Sequence, residues 1–131
     1  MIFIDSNVPM YLVGAHHPHK SRAIEIVDGL VRAGERLVTD VEVYQEILHR
    51  YTAIRRTDAI DAAFRSLDAL ADEVLRFGMP EIRIARTIID AVDGISARDA
   101  LHVAIMRSSR VDRILSFDRG FDAFPELERL H

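Results

Sequence analysis

Apolar residues are distributed along this chain in two rhythms. Short apolar runs at Met1–Ile4, Leu37-Val38, Val74–Phe77 and Arg113–Phe117 read as buried strands. Between them apolar positions recur at helical spacing. Val8–Val13 predicts a helical turn, followed by a polar loop over Gly14–Lys20. Ala23, Ile24, Ile26, Val27, Leu30 and Val31 define a helix with Gly34 at its stop. Thr39 and Glu42 have the spacing of a capping box and open a helix to about Arg55. Thr57–Leu70 predicts another helix, and Pro80 suits the first position of one that runs to Val92 and breaks at Gly94. Ser96 caps a helix from Ala97 to about Ser109 that is apolar nearly all round and therefore buried. Gly120–His131 reads as a short helical piece or loop with a weak edge strand. Strands alternating with longer helices predict an α/β domain with a mainly parallel sheet of four or five strands.

Composition narrows the chemistry. At 131 residues the chain is expected to form one domain over 1–131, and 49% apolar with 29% charged residues is ordinary for a globule. The absence of cysteine excludes disulfide scaffolds, thiolate zinc sites, iron–sulfur ligation and cysteine nucleophiles. The opening Met1–Asp5 lacks the basic region of a secretory signal, and no apolar run reaches the ~18 residues of a membrane span. A cytoplasmic protein without membrane contact is expected. The net charge of −4 argues against passive binding of nucleic acid but suits an acidic site that holds cations.

The acids fall in informative places. Asp5 directly follows the first predicted strand and Asp118 the last, so both sit at carboxyl ends of strands, the rim where clefts form in open α/β sheets. Each is also the residue type of a turn or helix cap. Glu46 lies at the edge of the apolar arc formed by Val41, Val43, Tyr44, Ile47, Leu48 and Tyr51, where packing fixes the backbone and leaves the carboxylate free; as a surface residue it would pair with Arg50. Asp99 is the third residue of the helix capped by Ser96, favoured there by the helix dipole alone or aimed at a cleft.

Taken in order, these positions resemble a known family. Ile4-Asp5-Ser6-Asn7, Thr39 with Glu46, Ala97-Arg98-Asp99-Ala100-Leu101-His102 and Leu115-Ser116-Phe117-Asp118-Arg119-Gly120-Phe121 are similar to the motifs of the PIN domain, and of its small VapC-type ribonuclease toxins. The resemblance spans essentially the whole chain. It implies a three-layer α/β/α sandwich and a toxin of a type II toxin–antitoxin pair that cuts RNA at a cluster of acids binding Mg²⁺ or Mn²⁺. The carried-over metal-binding and catalytic residues are Asp5, Glu46, Asp99 and Asp118. Asn7, Thr39 and Ser116 are candidates for orienting them or the substrate, Ser116 standing where many relatives carry Thr, and Asp122 is a candidate for the same rim. A cognate antitoxin and a homodimer are implied partners; the apolar helical faces around Phe64 and Ile88 suit either a dimer surface or the core.

Mg²⁺ takes oxygen ligands in octahedral geometry, so clustered carboxylates match it. Attack by cation-activated water leaves 5′-phosphate and 3′-hydroxyl ends. RNA phosphates also need local positive charge: Arg50, Arg55 and Arg56 form the clearest run, and Arg98 and Arg119 each adjoin a proposed ligand. His16, His17 and His19 read as plain loop, with transition-metal binding as the other reading. His102 reads as a hydrogen-bonded core residue or as one that orients an acid from behind. Phosphatase and response-regulator readings need a lysine late in the domain, but the single lysine is Lys20. The remaining alternative is a non-catalytic module of the same fold whose acidic cleft captures a basic peptide.

Overall fold

The structure, a computed structural model, describes residues 1–131. Its elements in chain order are β1 (Ile2–Ile4), α1 (Asn7–Val13), α2 (Pro18–Arg32), β2 (Leu37–Asp40), α3 (Val41–Ala53), α4 (Ile60–Leu70), β3 (Glu73–Leu75), α5 (Met79–Ala91), α6 (Ala97–Ser108), β4 (Arg113–Leu115) and β5 (Glu128–Leu130). Single 3₁₀ turns occupy Thr57–Ala59 and Arg119–Ala123. All five strands are parallel, in the order β3-β2-β1-β4-β5.

That order locates the site. From β1 the chain steps outward through β2 to β3, then crosses back to β4 on the other side of β1. Right-handed crossovers place α1–α4 on one face of the sheet and α5–α6 on the other. The packing agrees: α1 meets α2 and α4, α3 meets α4, and α5 runs along α6. The connections leaving β1 and β4 therefore diverge to opposite faces, and a crevice opens between their carboxyl ends. The α/β/α architecture and parallel sheet agree with the sequence reading.

The core explains the rigidity of that rim. Ile2, Phe3 and Ile4 of β1 and Ile114 and Leu115 of β4 are wholly buried, as a strand covered on both faces must be. The apolar centre of α6, Ala100–Met106, is buried throughout, and Ser96 caps this helix through the Asp99 amide at 3.1 Å. Gly34 follows the end of α2 with φ +70°, the left-handed conformation of a helix stop.

Several boundaries differ from the sequence reading. Helix α3 is capped by Asp40, whose Oδ1 accepts from the Val43 amide at 2.8 Å, so Thr39 is not its N-cap. Thr39 instead ends its role inside the sheet, donating its buried hydroxyl to the Ile4 carbonyl at 3.0 Å. The β2 strand runs two residues further than its apolar pair suggested, to Asp40, and the cap moves from Thr39 to Asp40. Helix α2 begins at Pro18, inside the segment expected to be loop, and α4 begins at Ile60 after the 3₁₀ turn. Strand β3 covers Glu73–Leu75 and stops before Phe77. Ile88 itself is buried in the core, whereas Met79, Ile82 and Ile89 are exposed large apolar residues of the same helix. Phe64 is half-buried, edge-on to Tyr44.

Candidate metal centre and active site

The crevice at the strand ends is a cleft of about 630 Å³ lined by Asp5, Glu46, Asp99 and Asp118 together with Asn7, Arg50, Arg98 and Arg119. Four carboxylates separated by up to 113 positions in the chain thus face one volume of solvent.

Asp5 is the most constrained of them. It is 4% exposed. Its Oδ1 accepts from the Ser6 amide at 2.8 Å. Its Oδ2 accepts from the Asn7 amide group at 3.0 Å and from the Ser116 hydroxyl at 2.5 Å. Ser116 Oγ in turn accepts from the Asp118 backbone at 3.0 Å, and Asn7 Oδ1 accepts from the Phe117 amide at 3.4 Å. Asn7 and Ser116 therefore stitch the turn after β1 to the turn after β4 and set Asp5 against Asp118. Burial pushes the Asp5 carboxyl up to about 6, with neighbouring Glu46 adding to the rise and His102 and Ser116 opposing it.

Glu46 projects from α3 toward the same basin, where one of its oxygens meets His102 Nε2 at 3.3 Å. Burial pushes its carboxyl up, but the hydrogen bond and charge of His102 outweigh this and hold it below the usual range. The other ring nitrogen of His102, Nδ1, lies 2.6 Å from Asp40 Oδ2. Burial alone would lower the imidazole; the two carboxylates overcome it and raise His102 well above its ordinary value. Both sequence readings of His102 therefore hold in geometry: it is a hydrogen-bonded core residue, and it touches an acid of the cleft from behind.

Asp99 and Asp118 come together at Gly120. A side chain at Gly120 would meet Asp118 Oδ1 at 3.1 Å and Asp99 Oδ2 at 3.7 Å, so glycine leaves room there for both carboxylates. The Gly120 amide donates to Asp118 Oδ1 at 2.8 Å. Asp99 is pushed up, first by burial and then by the charge of Asp118. Like charges held this close fit a hard dication, and the carboxylates are oxygen donors of the kind that Mg²⁺ and Mn²⁺ take. The tightest group, with one ligand atom each within 4.8 Å of the others, is Asp5, Glu46 and His102. Asp99 and Asp118 lie outside that group but line the same cleft.

Other candidates distribute unevenly. Arg119 and Arg50 line the cleft; Arg98 also lines it and leans on Glu42 at 3.8 Å. Arg55, in left-handed backbone just past α3, and Arg56, paired with Asp58 at 3.1 Å, do not line it. Nor does Asp122, both of whose oxygens are held by Arg129 at 2.7 and 2.8 Å, bracing the 3₁₀ turn against β5. Sequence reasoning missed Asp40, hidden by the capping-box pattern one residue earlier, and the cleft positions of Ser6, Met10 and Tyr11.

The sequence matches the PIN domain family over residues 2–127. It is 50% identical to Ribonuclease VapC13 of Mycobacterium tuberculosis over 130 residues, 99% of each chain. Its fold is similar to the crystal structure of Mycobacterium tuberculosis VapC20, a toxin described as cleaving the sarcin–ricin loop, with TM-score 0.77, 21% identity and 95% of each chain covered. It is also similar to VapBC2 of Rickettsia felis bound to a promoter DNA fragment, with TM-score 0.74, 12% identity and coverage of 99% of this chain and 98% of that one. No helix of the chain is long and apolar enough to cross a membrane. With motifs, topology and cleft in agreement, the chain is a PIN-domain protein and belongs to the VapC family.

Proposed function

We propose that this chain is the endoribonuclease toxin of a type II toxin–antitoxin pair, acting in the cytoplasm as one nuclease domain over residues 1–131, and that it hydrolyses RNA phosphodiester bonds with Mg²⁺ or Mn²⁺. The single observation that carries this reading is the convergence of Asp5, Glu46, Asp99 and Asp118 on one cleft. Asp5, Glu46, Asp99 and Asp118 are the residues that would hold the cation.

A divalent cation bound there supplies Lewis acidity, charge for the scissile phosphoryl group and acidity for the attacking water. The chain's own residues prepare the site for that chemistry. Asn7 and Ser116 orient the Asp5 carboxylate through hydrogen bonds at 3.0 and 2.5 Å. His102 presses its Nε2 against Glu46 and fixes the direction of that carboxylate. Arg119 and Arg50 line the mouth of the cleft and supply positive charge for the phosphates on either side of the scissile bond. Thr39 acts only through the sheet, tying β2 to β1 just below Asp5.

The toxin half of this reading is supported by relatives solved as VapBC complexes, among them the Rickettsia felis assembly with promoter DNA. A cognate antitoxin is accordingly the proposed protein partner, and a homodimer the proposed assembly. Incubating the purified chain with structured RNA tests the activity: divalent-dependent cuts bearing 5′-phosphate and 3′-hydroxyl ends are expected, and cuts ending in 2′,3′-cyclic phosphate refute the mechanism. Stable capture of a basic peptide without cleavage under any divalent metal would favour the non-catalytic module.

A further inference from the structure

The His-bearing start of α2, with its N-cap His17 and His19 in the first turn, takes no part in the chemistry above, yet it joins the cleft. Tyr11 of α1 and His17 are stacked, with ring centroids 4.8 Å apart and planes 27° apart. His19 and Phe117, which follows β4, are stacked at 4.7 Å and 26°. The two stacks meet edge-on through Tyr11 and Phe117, at 5.4 Å and 88°. Tyr11 and Phe117 are half-buried and line the acidic cleft, whereas His17 and His19 are exposed. Phe117 is the immediate neighbour of Asp118. A continuous aromatic wall therefore begins at the carboxylates and runs outward to solvent.

A purely local role accounts for only part of this. His17 Nδ1 accepts from the His19 amide at 3.0 Å and caps α2. That requires one imidazole, and it does not require Tyr11 and Phe117 to be drawn from two other elements to the cleft surface. The floor of the cleft is acidic and repels phosphate until cations neutralise it, so a strand crossing it gains from contacts that are indifferent to charge. Stacking on aromatic faces is such a contact.

We propose that Tyr11, His17, His19 and Phe117 form a stacking subsite for one unpaired nucleobase of the RNA, flanking the scissile phosphate. This rests on the ribonuclease reading. A base inside a duplex has no free face to offer, so the wall selects RNA segments whose bases are unpaired, with little preference among the bases themselves.

The test uses an oligoribonucleotide in which 2-aminopurine, whose fluorescence is quenched by stacking, replaces successive bases. Binding is read on mixing with the full chain in Ca²⁺, a hard dication that neutralises the carboxylates. Quenching at one position is expected. Tyr11→Leu combined with His19→Leu should abolish it and weaken binding about tenfold, while a duplex of the same sequence binds as before. Tyr11→Phe should keep both signals. An abasic site at the quenched position should weaken the unaltered chain by the same factor and the double variant no further, with retained duplex binding showing that the variant is folded. Quenching at no position, or an abasic site that costs both proteins equally, overturns the subsite. Variants that weaken an antitoxin's binding but leave RNA binding intact overturn it as well. RNA cleavage by the unaltered chain in Mg²⁺, measured alongside, separates the two ideas: cleavage without quenching removes the wall alone, whereas no cleavage in Mg²⁺ or Mn²⁺ removes the nuclease reading.

Discussion

Asp40 and His102 lie 62 positions apart in the chain, and their side chains meet at 2.6 Å with neither exposed to solvent. Asp40 uses its second oxygen to cap α3, the helix that carries Glu46. One buried carboxylate therefore sets both the start of that helix and the imidazole that steadies its functional acid.

Asp40→Asn separates those two tasks, because asparagine remains a good helix cap but lacks the charge that balances the imidazolium. The variant is expected to lose about 3 kcal/mol of stability, within the range for breaking a buried pair. It should also bind Mn²⁺ about 10- to 100-fold more weakly, as when a partner behind a metal ligand is removed. Chemical denaturation and calorimetry read the two effects separately; unchanged metal affinity would show that His102 does not position Glu46.

Asp99→Asn should act in the opposite sense on stability. Burial and the charge of Asp118 both raise the Asp99 carboxyl, so the ionised form strains the metal-free fold. A neutral amide removes that repulsion, and the variant is expected to gain roughly 1 kcal/mol in EDTA at neutral pH while losing cleavage. A lower melting temperature in EDTA would count against a repulsive acid pair.

The pH dependence of metal uptake follows from Asp5. Its carboxyl is raised by burial to about 6, so below that pH the folded, metal-free site holds a proton that a cation must displace. Mn²⁺ affinity should be level above pH 7 and fall by up to about tenfold per unit below about 6. Without metal the sign for stability is the reverse. The raised group favours the fold at low pH, and this contribution is lost as pH rises from the ordinary carboxylate range through about 6.

Arg50 lines the cleft and Arg56 does not, which ranks their effects. Arg50→Ala should weaken RNA binding and reduce the salt slope by about one, whereas Arg56→Ala should leave both nearly unchanged. Nitrocellulose binding across a salt series distinguishes them.

The parts of the site set by chain connectivity were legible in the sequence. Asp5 and Asp118 directly follow apolar runs, and parallel strands bring those ends to one rim whatever the side chains between them do. Glu46 was legible because helical periodicity places it at the edge of a packed arc. Asp40 was not, because strand and cap share residues there and Thr39 with Glu42 imitates a capping box one position early. The aromatic wall was likewise invisible: its four rings come from α1, the start of α2 and the turn after β4, and no spacing along the chain records that they meet. Asp122 and Arg56 sit near functional residues in sequence but are claimed by Arg129 and Asp58.

Titration of the chain with Mn²⁺ by calorimetry at pH 7.5, beside Asp5→Asn and Asp118→Asn, addresses the central claim most directly. Saturable uptake by the unaltered chain, lost or strongly weakened in both variants, is the predicted result. No uptake, or uptake that neither substitution changes, would contradict the assignment of this cleft as the metal centre.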